Sequence, residues 1–92
     1  MFNGIIFNTG KVKKKYIDSS GLILTINSKI NINSKKEIGS SICCAGVCLT
    51  LTKYKNNNLS FHISKETIKR SNLSMLKIND IVNLEKPIKF GD

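Results

Sequence analysis

Residues 47–64, VCLTLTKYKNNNLSFHIS, decide how the rest of the chain is read. In the first half Val47, Leu49 and Leu51 alternate with Cys48, Thr50 and Thr52; in the second, Leu59, Phe61 and Ile63 alternate with Ser60, His62 and Ser64. A period of two marks a strand with one buried face. The asparagine run between the halves predicts a hairpin with a three-residue loop, 55–57, in which an asparagine adopts the left-handed conformation. Parity then limits the register, because a slip of one residue would set every apolar side chain against a polar one. The predicted register pairs Cys48 with Ser64, Thr50 with His62 and Thr52 with Ser60, and puts Leu49 and Leu51 against Ile63 and Phe61 in the core. One face of this hairpin is a shelf of short polar side chains. Periodicity alone favours an ordinary solvated strand face; a shelf of this kind also has the shape and hydrogen-bonding groups to hold a flat heterocycle with a hydroxylated tail.

Just upstream, SICCAGVCLTLT at 41–52 holds all three cysteines within six positions. Adjacent Cys43 and Cys44 point to opposite faces of a strand, and CCxxxC with one distant histidine lacks the paired spacing of a zinc site, so no metal is expected. Cys43 or Cys44 is expected to fill the core as a small apolar residue. Cys48 belongs to the shelf, where ligand contact is the reading that its position allows.

Further out, short strands are expected over 2–7, 11–17, 22–27, 41–44, 47–54, 59–64 and 80–85, separated by turns such as DSSG and KNNN. This pattern points to a small closed or nearly closed antiparallel barrel. Only 65–71 reads as a helix. Ser64 is its N-cap, with a hydroxyl placed to accept the amide hydrogen of Thr67, and Glu66 complements the positive end of the helix dipole. Asn79 in KINDIV falls where a tight turn needs a left-handed residue.

The 92-residue length fits one domain with one modest core, and no apolar run approaches the ~20 residues of a membrane span. The start, MFNGIIF, lacks the basic head and cleavage site of a signal peptide, so a cytoplasmic location is expected. In a reducing compartment disulfides are not. The net charge of +9 suggests nucleic acid, yet fourteen of the fifteen basic residues are lysine and only Arg70 is arginine. Phe2, Phe7, Tyr16, Tyr54, Phe61 and Phe90 do not gather into a stacking platform, so no nucleic-acid partner is expected. The run Lys11, Lys13, Lys14, Lys15 fits a solvated strand edge that resists sheet-to-sheet pairing.

Four segments in order then carry a resemblance. MFNGII…TGKV is similar to MFTGIV…G-V, GSSICCAGVCLTL to G-S-[IV]-x-x-[ND]-G-V-C-L-T-V, ISKETIKRSNL to VSPETLRRTNL, and LKINDIVNLEKPIKFGD to LKVGDRVNLERALRLGD. Together they resemble the N-terminal lumazine-binding barrel of the riboflavin synthase family, over essentially all of residues 1–92 as a single domain. The resemblance implies an all-β, six-stranded antiparallel Greek-key barrel with one short helix, binding 6,7-dimethyl-8-ribityllumazine or riboflavin without metal or redox cofactor. In that family a four-carbon unit passes between two lumazines, giving riboflavin and a ribitylamino-pyrimidine, and two barrels provide one site. Carried over by position, Cys48, Ser41 and Phe2 take the catalytic places. Ile6, Gly46, Cys48, Thr50, His62, Ser64, Glu66 and Thr67 take the substrate-binding places.

Two departures stand out: Ala45 replaces the usual Asn or Asp before Gly46, and Lys65 replaces the usual proline at the helix start. The chain also ends before the family's second barrel. A homo-oligomer is expected, a dimer for the isolated domain and a trimer for the longer family enzyme, with little or no turnover by one barrel alone. The alternative is a non-catalytic lumazine or flavin carrier on the same fold.

Overall fold

The computed structural model describes residues 2–89, without the side chains of residues 2–4, 6, 88 and 89. Its longest element, β1 (Phe2–Asp18), merges the first two expected strands. The first part of β1 pairs with β6 (Ile81–Lys89) and the second with β2 (Gly21–Ser28), and Gly10 belongs to both ladders. A Cβ at Gly10 would lie 2.4 Å from Ile26 Cγ2. The missing side chain lets β1 cross the core as one continuous strand.

The remaining strands are β3 (Ser41–Cys44), β4 (Val47–Lys55) and β5 (Asn58–Ser64). All pairings are antiparallel, and the sheet closes in the order β1-β2-β5-β4-β3-β6. Strands β3, β4 and β5 follow one another through hairpins, and β6 returns beside β3, which is the Greek-key arrangement. The β6 ladder ends at Lys11, so Lys13, Lys14 and Lys15 lie on a stretch of β1 whose ladder runs only to β2, and Lys13 and Lys14 are exposed there as a solvated strand edge requires. Lys15 instead reaches across to the carbonyls of Ser74 and Leu76, the latter at 3.1 Å.

Alternation delivers the core. Leu22, Leu24 and Ile26 from β2, Leu49 and Leu51 from β4, and Leu59, Phe61 and Ile63 from β5 are all buried, with Val12, Ile42, Cys44, Val82 and Leu84. The β1–β2 turn depends on Gly21, where φ is +148° and a Cβ would fall 2.1 Å from the Ile63 carbonyl oxygen. Two helices flank the barrel. α2 (Lys65–Lys69) lies within the expected segment, followed by a 3-10 turn at Leu73–Met75, and Asn79 has φ +77° as its turn requires. α1 (Ser34–Glu37) is not anticipated from sequence. It is one turn long, capped by Asn33, whose side chain accepts from the Lys35 amide at 3.1 Å.

Candidate functional site

The site starts from the β3–β4 hairpin. Ala45 (φ +50°) and Gly46 (φ +83°) make its two-residue turn, the left-handed pair that suits the twist of the flanking strands. Across it Cys43 pairs with Cys48, and Ser41 with Thr50. Ser41, Cys48 and Thr50 are exposed on the outer face, Cys43 is half-buried, and Cys44 lies in the core. Burial, reinforced by neighbouring Cys48, holds the Cys43 thiol above its usual range; burial drives Cys44 to about 12. Cys43 also pairs with Glu85, and Glu85 with Phe7, so one row runs Phe7, Glu85, Cys43, Cys48 around the barrel.

The β4–β5 hairpin departs from the predicted register. Its loop is shorter, with Asn56 (φ +51°) and Asn57 (φ +65°) both left-handed between β4 and β5. The ladder runs Lys55 to Asn58, Tyr54 to Leu59 and Lys53 to Ser60, then shifts at a bulge to Leu51 opposite Phe61, and stops there. The Leu51–Phe61 pair is as predicted, and Thr52 Oγ1 donates to the Ser60 carbonyl at 2.9 Å. The predicted Cys48–Ser64, Leu49–Ile63, Thr50–His62 and Thr52–Ser60 pairs do not form, Ser60 standing opposite Lys53 instead. Beyond the bulge β4 is committed to its other neighbour: the Leu51 amide donates to the Ser40 carbonyl at 2.9 Å, and Leu51 accepts from Gly39 at 2.7 Å. The facing edges of residues 47–50 and 62–64 thus lack the ladder that joins the strands elsewhere, leaving a seam in the barrel wall.

Beyond that seam, β5 turns into α2. Ser64 Oγ accepts the Thr67 amide at 3.2 Å and donates to Thr67 Oγ1, also 3.2 Å away. Glu66 pairs with Arg70 at 2.8 Å on the exposed side of the helix. His62 is exposed but engaged elsewhere. The Ser20 hydroxyl donates to Asp18 Oδ1 at 2.7 Å, which leaves its oxygen to accept from His62 Nε2 at 3.1 Å. Asp18 accepts the Ser20 and Gly21 amides as well, and the Ser20 hydroxyl is the main cause of a carboxyl held below its usual value. His62 is thereby tied to the β1–β2 turn, away from Thr50. This Asp18–Ser20–His62 chain is missed by the sequence reading, although DSSG carries its signal: an aspartate whose side chain can close a turn over the next amides.

The structure therefore places Cys48 and Thr50 on one bank of the seam, with Gly46 in the turn before them and Ser41 one strand away on β3 opposite Thr50, and Ser64 and Thr67 at the end of the other bank. The side chains of Phe2 and Ile6 lie outside the described residues. Among the described residues no three of His, Cys, Asp and Glu gather as a metal site would require, and no helix is long and apolar enough to cross a membrane.

Comparison with known proteins bears on this barrel directly. The sequence model of the family described as "Lumazine binding domain" matches residues 3–87. The chain belongs to that family. Curated proteins similar to this lumazine binding domain include the riboflavin synthases of Actinobacillus pleuropneumoniae and Escherichia coli (strain K12), each 36% identical. Alignment covers 99% and 100% of this chain and 44% and 43% of theirs. The riboflavin synthase of Saccharomyces cerevisiae is 38% identical over 99% of this chain and 42% of its own. The chain spans less than half the length of these relatives and is homologous to their N-terminal half.

Proposed function

We propose that this domain binds 6,7-dimethyl-8-ribityllumazine and riboflavin at the seam between β4 and the β5–α2 junction, as the N-terminal domain of a cytoplasmic riboflavin synthase. The observation that carries the reading is the coincidence of a lumazine binding domain match over residues 3–87 with a β4–β5 ladder that stops at Leu51–Phe61. A pteridine edge alternates ring nitrogens and carbonyls. Such an edge can take up backbone groups that a neighbouring strand would otherwise satisfy. Thr50, Ser64 and Thr67 supply hydroxyls for ring and ribityl chain, Gly46 lets the tail approach the hairpin turn, and Ser41 and Cys48 lie beside the ring.

The relatives named riboflavin synthase support the reaction class. In it one lumazine gives a four-carbon unit to a second, so two rings must be held face to face, and orientation supplies much of the rate. One barrel offers one seam. Turnover therefore needs a second barrel, from a longer chain or from a second copy in a homodimer. Phe2, with Ser41 and Cys48, belongs to the reacting side of this arrangement.

Titrating the domain into riboflavin and following flavin fluorescence tests the proposal. Saturable quenching is expected. Thr50→Val is expected to weaken binding by about 1 kcal/mol, roughly fivefold, through loss of one hydroxyl partner. Unchanged fluorescence at high protein concentration sinks the reading. Tight lumazine binding with no riboflavin formed by the full-length protein would instead favour a carrier.

A further inference from the structure

The lysines expected merely to coat a strand converge at one place on the outer wall. β1 carries a bulge between Val12 and Lys14, and β4 one between Leu51 and Lys53. At each bulge two consecutive side chains emerge on the solvent side: Lys13 and Lys14 are both exposed, as are Thr52 and Lys53. β2 and β5 lie between these strands, and the ladders align Lys14, Thr25, Ser60 and Lys53 in one row. The inner pair is short, with Thr25 Oγ1 and Ser60 Oγ 3.2 Å apart. Long side chains on both rims over a hydroxyl floor form a groove of about 330 Å³, with Lys13 and Lys14 on one side and Lys53 and Lys55 on the other. No carboxylate among the described residues lines it. The ion pairs among the described residues, Arg70–Glu66 and Lys86–Glu37, leave these four lysines out.

We propose that this groove is an anion site for an oligophosphate chain, free or as the tail of a nucleotide. Four ammonium groups gathered without a counter-charge repel one another, and a chain of adjacent phosphates relieves that repulsion at several points at once. Lysine binds phosphate as a point charge, without the planar two-point geometry of arginine. The Thr25 and Ser60 hydroxyls share one hydrogen bond, which leaves one O–H to donate from below. Binding of single-stranded nucleic acid draws on aromatic stacking, and no aromatic side chain among the described residues lines the groove. The groove also uses residues other than those of the lumazine seam, which opens at the far end of the same hairpin.

The test is calorimetric titration with sodium tripolyphosphate, and separately with adenosine triphosphate, at low salt. Saturable one-to-one binding of either is expected, and comparing the two separates a free chain from a nucleotide tail. Lys14→Gln/Lys53→Gln is expected to weaken it about tenfold or more, since two charge-assisted contacts are lost. Lys35→Gln/Lys36→Gln removes the same charge from α1 and is expected to leave it within about twofold, as exposed remote charges are screened. Absence of saturable binding, or equal losses in the two double variants, overturns the proposal. So does a short oligothymidylate that displaces tripolyphosphate and binds more tightly, which would make the face a nucleic-acid surface. Circular dichroism of each variant establishes that the barrel is intact, and protection of Lys14 and Lys53 from amine acylation by tripolyphosphate is expected in the unmutated protein.

Discussion

Ala45 holds φ +50° in the turn before Gly46, a conformation in which a Cβ meets the following carbonyl and which asparagine tolerates better. Its side chain is exposed, and its amide donates to the Asn83 carbonyl at 2.9 Å, so the backbone is pinned whatever side chain it carries. Ala45→Asn is therefore expected to stabilise the fold by about 0.5–1 kcal/mol, read as a higher denaturant midpoint at unchanged slope. A lower midpoint would mean that the alanine methyl packs favourably. The cysteines separate by environment at the same scale. Cys48 is expected to react with a thiol reagent in the native state, and Cys44 only after unfolding, because it is fully buried with its pKa at about 12. The sign for stability follows: a folded pKa raised above 9.0 leaves stability intact below that value and erodes it as pH rises towards 12. Cys44→Val should flatten that alkaline decline. An unchanged decline would assign it to other groups. Several residue-scale features are legible in sequence because their causes are local. Ser64 caps α2 by accepting the Thr67 amide, and Asn79 takes its left-handed turn.

At the scale of elements, legibility falls where partners are distant. α1 has four residues and no room for a helical period, so nothing in SKKE announces it. Its fixed point is Glu37, whose Oε1 lies 2.7 Å from Lys86 Nζ, while the same ammonium also donates to the Asn31 carbonyl. Lys86 is only 8% exposed, on β6, and stands 49 residues from its carboxylate. A buried ammonium without its counter-charge is costly, so Glu37→Gln is expected to destabilise by about 1–3 kcal/mol, below the figure for a fully buried pair because Glu37 keeps some contact with water. Glu37→Leu/Lys86→Met should cost less than the sum of its single changes, as a thermodynamic cycle would measure. Strict additivity would show that the two groups do not act as a pair. The bulge in β4 belongs to this scale too. Alternation gives the correct Leu51–Phe61 pairing, but the two-asparagine turn and the demand of residues 39–40 for Leu51 set where the ladder ends.

For the whole molecule, a period of two and well-placed turns are enough to indicate a closed antiparallel barrel, because burying one face of six strands leaves few other solutions. What the sequence hides is how closure is achieved: a β1 that bends through Gly10 to serve two ladders, and bulges that open the seam and crowd the lysines. Net charge is the other whole-molecule property. With +9 overall and two ion pairs among the described residues, self-repulsion works against the compact state. Screening reaches about 10 Å at 0.1 M salt, comparable to the spacing of neighbouring surface lysines, so the melting temperature is expected to climb by a few degrees between about 10 and 200 mM sodium chloride and then level off. A folding free energy dominated by exposed ion pairs would fall over the same range, and a flat or descending curve would reject the repulsion argument. Sodium tripolyphosphate at matched ionic strength separates screening from occupancy of the groove, since only a site that prefers the folded barrel raises the melting temperature beyond the chloride plateau. That excess should vanish in Lys14→Gln/Lys53→Gln while the chloride response persists, because the other surface lysines still repel.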